Sequence, residues 1–197
     1  MKDLINEIGA TDIYLIDQIL KSRFEPENLV LDAGCGYGRN IKWFANNNFK
    51  VYGVDTSEEA IEEVQRTYPE MAENFTVVGI EDLPFETNFF DVVICSAVLH
   101  FASNKTHFSA MMSEMIRVLK PSGCLFIRMA SNFATAKKFK HLKNGVYELR
   151  DGSERFLLTT QLLGELFETQ KVQLLEPVKT TNVEELRCMT TLVLQKI

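Results

Sequence analysis

Apolar and polar positions fall into blocks along the chain that predict helices and strands in alternation. An amphipathic pattern over residues 3–22, interrupted at Gly9 and at Thr11-Asp12, predicts a helical cap over residues 1–23. Short apolar runs bounded by turn residues predict seven strands. They cover residues 28–33, 49–55, 75–79, 90–96, 124–130, 171–178 and 187–195.

Helical patterns stand between these strands. Ser57, and Thr159 or Thr160, precede two of them as candidate N-caps. Because strands and helices alternate, we expect an α/β fold with a doubly wound, mostly parallel seven-stranded sheet and helices on both faces. We find no linker, repeat or low-complexity segment and therefore assign residues 1–197 to a single domain. The predicted helices cover residues 38–47, 57–66, 106–119 and 159–169.

Composition narrows the classes of partner. The 197 residues carry a formal net charge of −6, so the chain lacks the basic excess typical of nucleic-acid-binding proteins. No apolar run is long enough for a membrane span, and acidic residues near the start argue against a signal peptide. We expect a cytoplasmic protein with neither nucleic acid nor membrane as partner.

The four cysteines, at positions 35, 95, 124 and 188, have no partner at metal-ligand spacing. We expect four reduced thiols, mostly buried, with no disulfide and no metal site.

The segment that follows the first strand carries the clearest chemistry. Here Asp32 stands two residues before Gly34, and Gly36 and Gly38 follow in a G-x-G-x-G pattern. Dinucleotide enzymes carry G-x-G-x-x-G for a pyrophosphate, which a carboxylate at this place would repel by about 1–4 kcal/mol. The same carboxylate suits a ligand with an ammonium group.

Four stretches in order resemble the class I S-adenosylmethionine-dependent methyltransferases, the small-molecule type in particular, including the quinone-biosynthesis enzymes. They are VLDAGCGYGR at 30–39, VYGVD at 51–55, GIEDLPF at 79–85, and FDVVICSAVLHF at 90–101 with RVLKPSGCLFIRM at 117–129. The resemblance covers about residues 30–130 and implies a Rossmann-like sheet whose last strand is antiparallel and lies between the fifth and sixth strands.

The resemblance also implies a cofactor site for S-adenosylmethionine. Asp55 would accept hydrogen bonds from the ribose hydroxyls, and Gly34 and Gly36 would let the cofactor approach the backbone. Asp32 would orient the loop or face the methionine amine. The remaining expected contacts are Cys35 in the loop, Thr56 and Ile80 at the adenine, Glu81 in place of the acid that relatives carry at Gly79, and Ser96 and Ala97 beside the methionine.

For the acceptor, His100 is the candidate general base or substrate contact, with a packing role as the alternative. Arg128 and Arg187 would flank each other at the mouth of the site and bind an acidic group of the substrate, unless each pairs with an acid such as Glu184 or Glu185. Phe101 and Tyr147 are further candidate contacts. Residues 132–158, with a predicted hairpin about Asp151-Gly152, would form a substrate-side insertion.

Arg39, at the start of the next helix, has two open roles, which are pairing with the methionine carboxylate and pointing to solvent. We therefore expect methyl transfer to a small molecule with an acidic group. A non-catalytic cofactor-binding protein of the same fold is one alternative, and a nicotinamide oxidoreductase is a less favoured one. The acceptor atom and the oligomeric state stay open.

Overall fold

A computed structural model describes residues 2–135 and 139–197 of the chain. The strands of its main sheet are Leu29–Ala33 (β1), Lys50–Asp55 (β2), Phe75–Val77 (β3), Phe90–Ser96 (β4), Leu119–Ser131 (β5), Val172–Leu174 (β9), Lys179–Val183 (β10) and Arg187–Lys196 (β11). The strand order is β10-β11-β5-β4-β1-β2-β3, and β9 also pairs with β11.

The directions of the strands confirm the expected sheet. Strands β3, β2, β1, β4 and β5 pair in parallel, whereas β11 runs antiparallel to β5. Strand β11 is also antiparallel to β9 and β10, which occupy the sixth position in two segments. The predicted strand at 171–178 is thus interrupted, since residues 175–178, with Pro177 among them, belong to neither segment.

The helices cover both faces of the sheet, as predicted. They are Lys2–Ile8 (α1), Ile13–Leu20 (α2), Lys42–Asn46 (α3), Glu58–Thr67 (α4), Lys105–Val118 (α5) and Thr160–Thr169 (α6). Ser57 and Thr159 are the N-caps of α4 and α6, each accepting a hydrogen bond from a backbone N–H of the first turn. The predicted helix at 38–47 is shorter in the structure, because the glycine loop extends to its start.

Two apolar cores hold these layers together. Helices α5 and α6 bury Phe108, Met112 and Leu162 in the core on one face of the sheet. Helices α2, α3 and α4 contribute Leu15 and Phe44, among others, to the core on the opposite face. Burial on both faces explains why the central strands are continuous apolar runs in the sequence.

The insertion after β5 is a separate antiparallel sheet of Lys140–Lys143 (β6), Val146–Glu148 (β7) and Glu154–Phe156 (β8). The hairpin predicted about Asp151-Gly152 joins β7 to β8 and is confirmed. Strand β6 was not predicted, although Asn144-Gly145, both at positive φ, is the sequence signature of a tight hairpin. Lys137 and Lys138, in the basic stretch of this insertion, lie outside the described residues.

The Pro121-Ser122-Gly123 stretch is an irregularity inside β5. The register between β4 and β5 shifts there, and Ser122 has a φ of 64°. None of the described helices is both long and apolar enough to cross a membrane.

Candidate active site

The loop between β1 and α3 is fastened to the neighbouring strand. The backbone N–H groups of Gly34 and Cys35 both donate to the carbonyl oxygen of Val54 in β2 (2.8 and 2.9 Å). Gly34 has a φ of 82°, and a Cβ there would overlap the Val98 side chain. Gly36 has a φ of 51°, with no described atom within 4 Å of where its Cβ would stand. Positive φ favours glycine at both positions, and at Gly34 the close packing of Val98 also excludes a side chain.

Asp55 ends β2 directly beside this loop. Its Oδ2 accepts a hydrogen bond from the Gly36 N–H (2.8 Å), and its Oδ1 accepts one from the Ser57 N–H (3.0 Å). These two bonds fix the carboxylate in one orientation. Each carboxylate oxygen can accept a further hydrogen bond, so the group can still bind a vicinal diol such as that of a ribose.

A cavity of about 720 Å³, here called the loop cavity, opens over the carboxyl ends of β1, β2 and β4. Its volume is suited to a nucleoside-sized ligand. The structure brings all but one of the predicted cofactor-binding residues to this cavity, and the exception is Asp32. The lining includes Gly34, Cys35, Gly36, Asp55, Thr56, Ile80, Glu81, Ser96 and Ala97.

Asp32 lies beneath the loop, 1% exposed. Neither of its carboxylate oxygens has a hydrogen-bond partner within the described part of the chain. Burial raises the pKa of this carboxyl to about 7, an effect that the Arg39 guanidinium opposes and the Asp55 carboxylate reinforces. A buried, unpartnered carboxylate next to the cavity fits a cofactor that carries an ammonium group, because the cation would compensate its charge.

The structure explains why glycine stands at position 79, where relatives were expected to carry an acid that contacts the adenine. A Cβ at Gly79 would stand 2.6 Å from Oε2 of Glu81, so the glutamate carboxylate occupies the space that a side chain at position 79 would fill. Glu81 Oε2 also lies 3.5 Å from Nε2 of His107. The Glu81 carboxylate can therefore occupy this position only because residue 79 has no side chain.

A second cavity of about 330 Å³, here called the arginine cavity, adjoins the first. Both cavities are lined by Arg39 and Ala97, which mark the junction between them. Ala97 has a φ of 66°, an uncommon conformation for a residue with a Cβ, and such strain often accompanies function. The lining comprises Arg39, Ala97, His100, Arg128, Ala130, Leu149, Asp151, Ser153, Arg155, Val183, Arg187 and Met189.

Four guanidinium groups face this small space, with the carboxylate of Asp151 as the acidic group among the described lining residues. Arg128 and Arg187 both line it, but they do not flank each other as expected, because the register of β5 and β11 places Thr191 opposite Arg128 and leaves Arg187 four residues farther along the strand. Arg155, from the insertion after β5, contributes a third guanidinium, whose Cζ lies 4.9 Å from the centre of the Phe101 ring.

Asp12 was missed as a site residue, because its sequence position indicated only a helix break. It caps α2, and its buried carboxylate accepts hydrogen bonds from Arg128 Nη1 (3.0 Å) and Ser96 Oγ (3.2 Å). Arg39 Nη2 lies 3.8 Å away. Arg128 thus pairs with Asp12, not with Glu184 or Glu185, and its guanidinium also lies over the Tyr14 ring at 5.1 Å.

Arg39 is oriented by Ser96 and lies near Asp12. Its Nη2 donates a hydrogen bond to Ser96 Oγ (3.1 Å), and its side chain is 45% exposed. Of the two roles left open by the sequence, this placement favours the one in which Arg39 faces the ligand.

His100 is buried in a short 3-10 turn after β4. Its Nδ1 accepts a hydrogen bond from the backbone N–H of Ala130 (3.4 Å). Burial, with the nearby Arg155 and Arg128 guanidinium groups, lowers the pKa of the imidazole to about 4. The ring is therefore neutral at pH 7.

Phe101 and Tyr147, the two aromatic candidates for substrate contact, line different cavities in the structure. Phe101 is 62% exposed and lines the loop cavity. Tyr147 lines a different cavity, between the start of α5, the insertion and α6, where its ring lies 4.9 Å from that of His141. The prediction had placed Tyr147 over the acceptor because the whole insertion was treated as a cover, whereas the pairing of β6 with β7 turns this side chain elsewhere.

The cysteines behave as expected, since all four are free and buried. Burial raises the pKa of the Cys35 thiol, and Asp32 and Asp55 raise it further, so the thiol stays protonated. Among the described residues, no cluster of three or more His, Cys, Asp or Glu side chains could hold a metal ion.

Residues 31–127 match the family of proteins described as "Methyltransferase domain". The sheet order, the glycine loop and the acid at the end of β2 agree with this match. Together they show that residues 31–127 form a methyltransferase domain of the class I S-adenosylmethionine-dependent type. The narrower likeness to quinone-biosynthesis enzymes is not confirmed by the comparisons.

Among its relatives is the uncharacterized methyltransferase YodH of Bacillus subtilis, 30% identical over 107 residues, which are 53% of this chain and 44% of YodH. Another is a tRNA (carboxymethyluridine(34)-5-O)-methyltransferase of Arabidopsis thaliana, 30% identical over 51% of this chain and 23% of that protein. The chain spans less than half the length of these curated relatives.

Solved structures extend the likeness in fold to nearly the whole chain. A S-adenosylmethionine-dependent methyltransferase of Methanosarcina mazei has a TM-score of 0.73 at 20% identity, over 91% of this chain and 97% of that one. A Burkholderia thailandensis N-methyltransferase with bound 1,6-didemethyltoxoflavin and S-adenosylhomocysteine has a TM-score of 0.71 at 18% identity, over 99% of this chain and 81% of that one.

Proposed function

We propose that the protein transfers the methyl group of S-adenosylmethionine to a small molecule that carries an acidic group. The observation that supports this most strongly is the arginine cavity, which places four guanidinium groups beside the loop cavity in a chain of net charge −6. Arginine binds carboxylate and phosphate groups through paired hydrogen bonds.

The proposed roles follow from position. The loop of Gly34 and Gly36, with Asp32 and Asp55, would hold the cofactor, which supplies an already activated methyl group. Ala97, at the junction of the two cavities, would lie beside the path of the methyl group. The chain's own contribution is then alignment and the exclusion of water.

Within the arginine cavity, two guanidinium groups are the better candidates for the acidic group of the acceptor. Arg128 is already paired with Asp12, so its charge is offset. Arg155 and Arg187 form no ion pair with a carboxylate in the part of the chain that the structure describes, and Arg155 donates to a backbone carbonyl. We therefore assign the acidic group to Arg155 and Arg187, with Arg128 as a support for the cavity wall.

A small-molecule acceptor and a cytoplasmic location are parts of the same proposal. The volume of the arginine cavity, about 330 Å³, suits a small acid, and the buried free thiols suit a reducing compartment. Because several curated relatives are named as tRNA methyltransferases, RNA is the alternative acceptor that an experiment must include.

The test is a turnover assay with methyl-labelled S-adenosylmethionine, supplied in parallel with a small-molecule extract and with total RNA. We expect label in an acidic small molecule. Arg155→Ala and Arg187→Ala should each raise the KM for that acceptor by about tenfold or more, with the KM for the cofactor unchanged. Arg66→Ala, on the exposed face of α4, is the matched control. Label in RNA alone, no turnover, or an unchanged KM in both variants would contradict the proposal.

A further inference from the structure

The arginine cavity contains few groups that could take a proton from an acceptor. Among the described residues that line it, the ionisable side chains are His100, Asp151 and the four arginines. Arginine remains protonated under all conditions in which proteins fold. Asp151 accepts hydrogen bonds from the hydroxyl and backbone N–H of Ser153 (2.6 and 3.0 Å), which hold the pKa of its carboxyl below the usual range. His100 is therefore the only candidate base among these groups.

The hydrogen bond at His100 decides which ring nitrogen carries the proton. A backbone N–H can only donate, so the Ala130 N–H must meet an unprotonated Nδ1. The single proton of the neutral ring then resides on Nε2. In this tautomer the ring offers an N–H donor at Nε2, and its lone pair is occupied by the backbone.

The charged neighbours of His100 oppose any gain of a second proton. The guanidinium groups of Arg128 and Arg155 act on it directly, and those of Arg39 and Arg187 line the same cavity. Asp151 is the carboxylate among the described lining residues. The Asp12 carboxylate, 3.0 Å from Arg128 and 3.8 Å from Arg39, offsets part of this positive charge. An imidazolium would still add a positive charge beside four guanidinium groups that face two carboxylates among the described residues.

We propose that His100 binds the methyl acceptor as a hydrogen-bond donor through Nε2–H, and that the acceptor is a carboxylate, which is converted to a methyl ester. This inference rests on the proposed function and names its substrate class. A carboxylate is ionised at pH 7 and needs no base, whereas an alcohol does. Two of its features match the cavity: its negative charge suits Arg155 and Arg187, and one of its two oxygens can accept from His100.

The step balances without a proton acceptor. A lone pair of the carboxylate oxygen that does not accept from His100 forms the bond to the methyl carbon, the bond from that carbon to sulfur breaks, and its electron pair stays on sulfur. One negative and one positive charge disappear together. A hydroxyl or protonated amine acceptor would instead release one proton in each turnover.

The first experiment identifies the linkage formed. Tritiated S-adenosylmethionine is incubated with a panel of carboxylic acids, with their primary amides and alcohols as matched controls, and with a small-molecule extract. We expect label only in acids, released as methanol by mild alkali. Alkali-stable label in an alcohol, phenol or amine overturns the inference and leaves the proposed function intact. Absence of label from every small molecule overturns the proposed function itself.

The second experiment measures the protonation state and the tautomer of the His100 ring directly and needs no substrate. In nitrogen-15 histidine correlation spectra of the full chain, the His100 signals, assigned by their loss in His100→Gln, should show a neutral ring protonated at Nε2. That state should persist down to about pH 5. A proton on Nδ1, or titration near pH 6.5, would overturn the donor role.

Two variants distinguish a hydrogen-bond donor at position 100 from a general base. The amide of His100→Gln can donate from near the place of Nε2, so activity should stay within about tenfold of wild type, whereas His100→Ala should lose about a hundredfold. Equal losses in both variants, with thermal unfolding unchanged, would contradict the inference.

Discussion

The protonation state of the Asp32 carboxyl affects both the stability of the protein and its affinity for the cofactor. Its pKa rises from the ordinary value of 3.8 to about 7 in the folded protein because of burial. Between these two pH values the folded state binds more protons than the unfolded state. The free energy of unfolding therefore falls as pH rises through this window, and the loss is complete above about pH 7. For a carboxyl with this shift the cost is about 4 kcal/mol.

Asp32→Asn should therefore stabilise the free protein at pH 8 and weaken its hold on the cofactor. We expect the free energy of unfolding to rise by about 1–3 kcal/mol at pH 8, the buried amide offsetting part of the gain, and to gain nothing at pH 4. Urea unfolding of both proteins at the two pH values measures this difference. An identical difference at pH 4 and pH 8 would show that Asp32 is not the titrating group.

The same residue predicts a pH dependence of binding. Since an ammonium group favours the ionised carboxyl, affinity for S-adenosylhomocysteine should increase by about tenfold from pH 6 to pH 8 in the wild type. In Asp32→Asn the affinity should be weaker and independent of pH over this range. Equal pH profiles in the two proteins, measured by calorimetry, would contradict the proposed contact.

Alanine substitutions at the two loop glycines should have different effects, mainly on stability at Gly34 and mainly on cofactor binding at Gly36. Gly34→Ala combines a φ of 82° with overlap against Val98 and should cost about 2–4 kcal/mol. Gly36→Ala, with no described atom near its Cβ, should cost about 1 kcal/mol but weaken S-adenosylhomocysteine binding more than tenfold. Gly152→Ala, at a φ of 81° in open space, is the control for backbone strain alone. Equal destabilisation at positions 34 and 152 would mean that the Val98 contact is unimportant.

Among the elements, α2 is the one that ties the N-terminal segment to the site. Its cap, Asp12, reaches Arg128 across 116 positions of sequence, and Lys179 Nζ contacts Asp17 Oδ2 (2.6 Å) farther along the same helix. Asp12 thus anchors the segment inside the site and Asp17 anchors it at the surface, in addition to contacts such as that of Tyr14 with Thr181.

These two anchors should differ in strength. Asp12→Asn keeps the helix cap but leaves Arg128 without a buried counter-ion, and should destabilise the protein by about 1–3 kcal/mol. Asp17→Asn, half-exposed on the same helix, should cost less than about 1 kcal/mol. Thermal and urea unfolding would measure both. A larger loss in Asp17→Asn would reverse the assignment of the main anchor.

Elements with a strong period or cap were predictable from the sequence, whereas those set by register were not. Ser57 and Thr159 mark their helices through local hydrogen bonds, which the sequence encodes directly. The break of the sixth strand at 175–178 depends on pairing with β11, and the placement of Tyr147 in a different cavity depends on pairing with β6. No local pattern specifies either pairing.

For the whole molecule, the parallel sheet explains why the sequence predicted so much of the site. Carboxyl ends of parallel strands meet at one edge, so the order of the strands is enough to bring Gly34, Asp55 and Ala97 together. The antiparallel last strand predicted that Arg128 and Arg187 lie at this edge, but the register that separates them by four residues could not be predicted. Asp12 could not be found in this way, because its role depends on a contact between distant segments.

All of these inferences rest on the claim that the edge formed by Asp32, Gly36 and Asp55 binds S-adenosylmethionine. Calorimetric titration of the full chain with S-adenosylhomocysteine, with NAD as the competing class of ligand, tests it most directly. We predict saturable binding of S-adenosylhomocysteine, no binding of NAD, and a loss of about 10–100-fold in Asp55→Asn, with Asp17→Asn unchanged. Binding of NAD in place of S-adenosylhomocysteine, or an Asp55→Asn variant that binds as tightly as the wild type, would contradict the account.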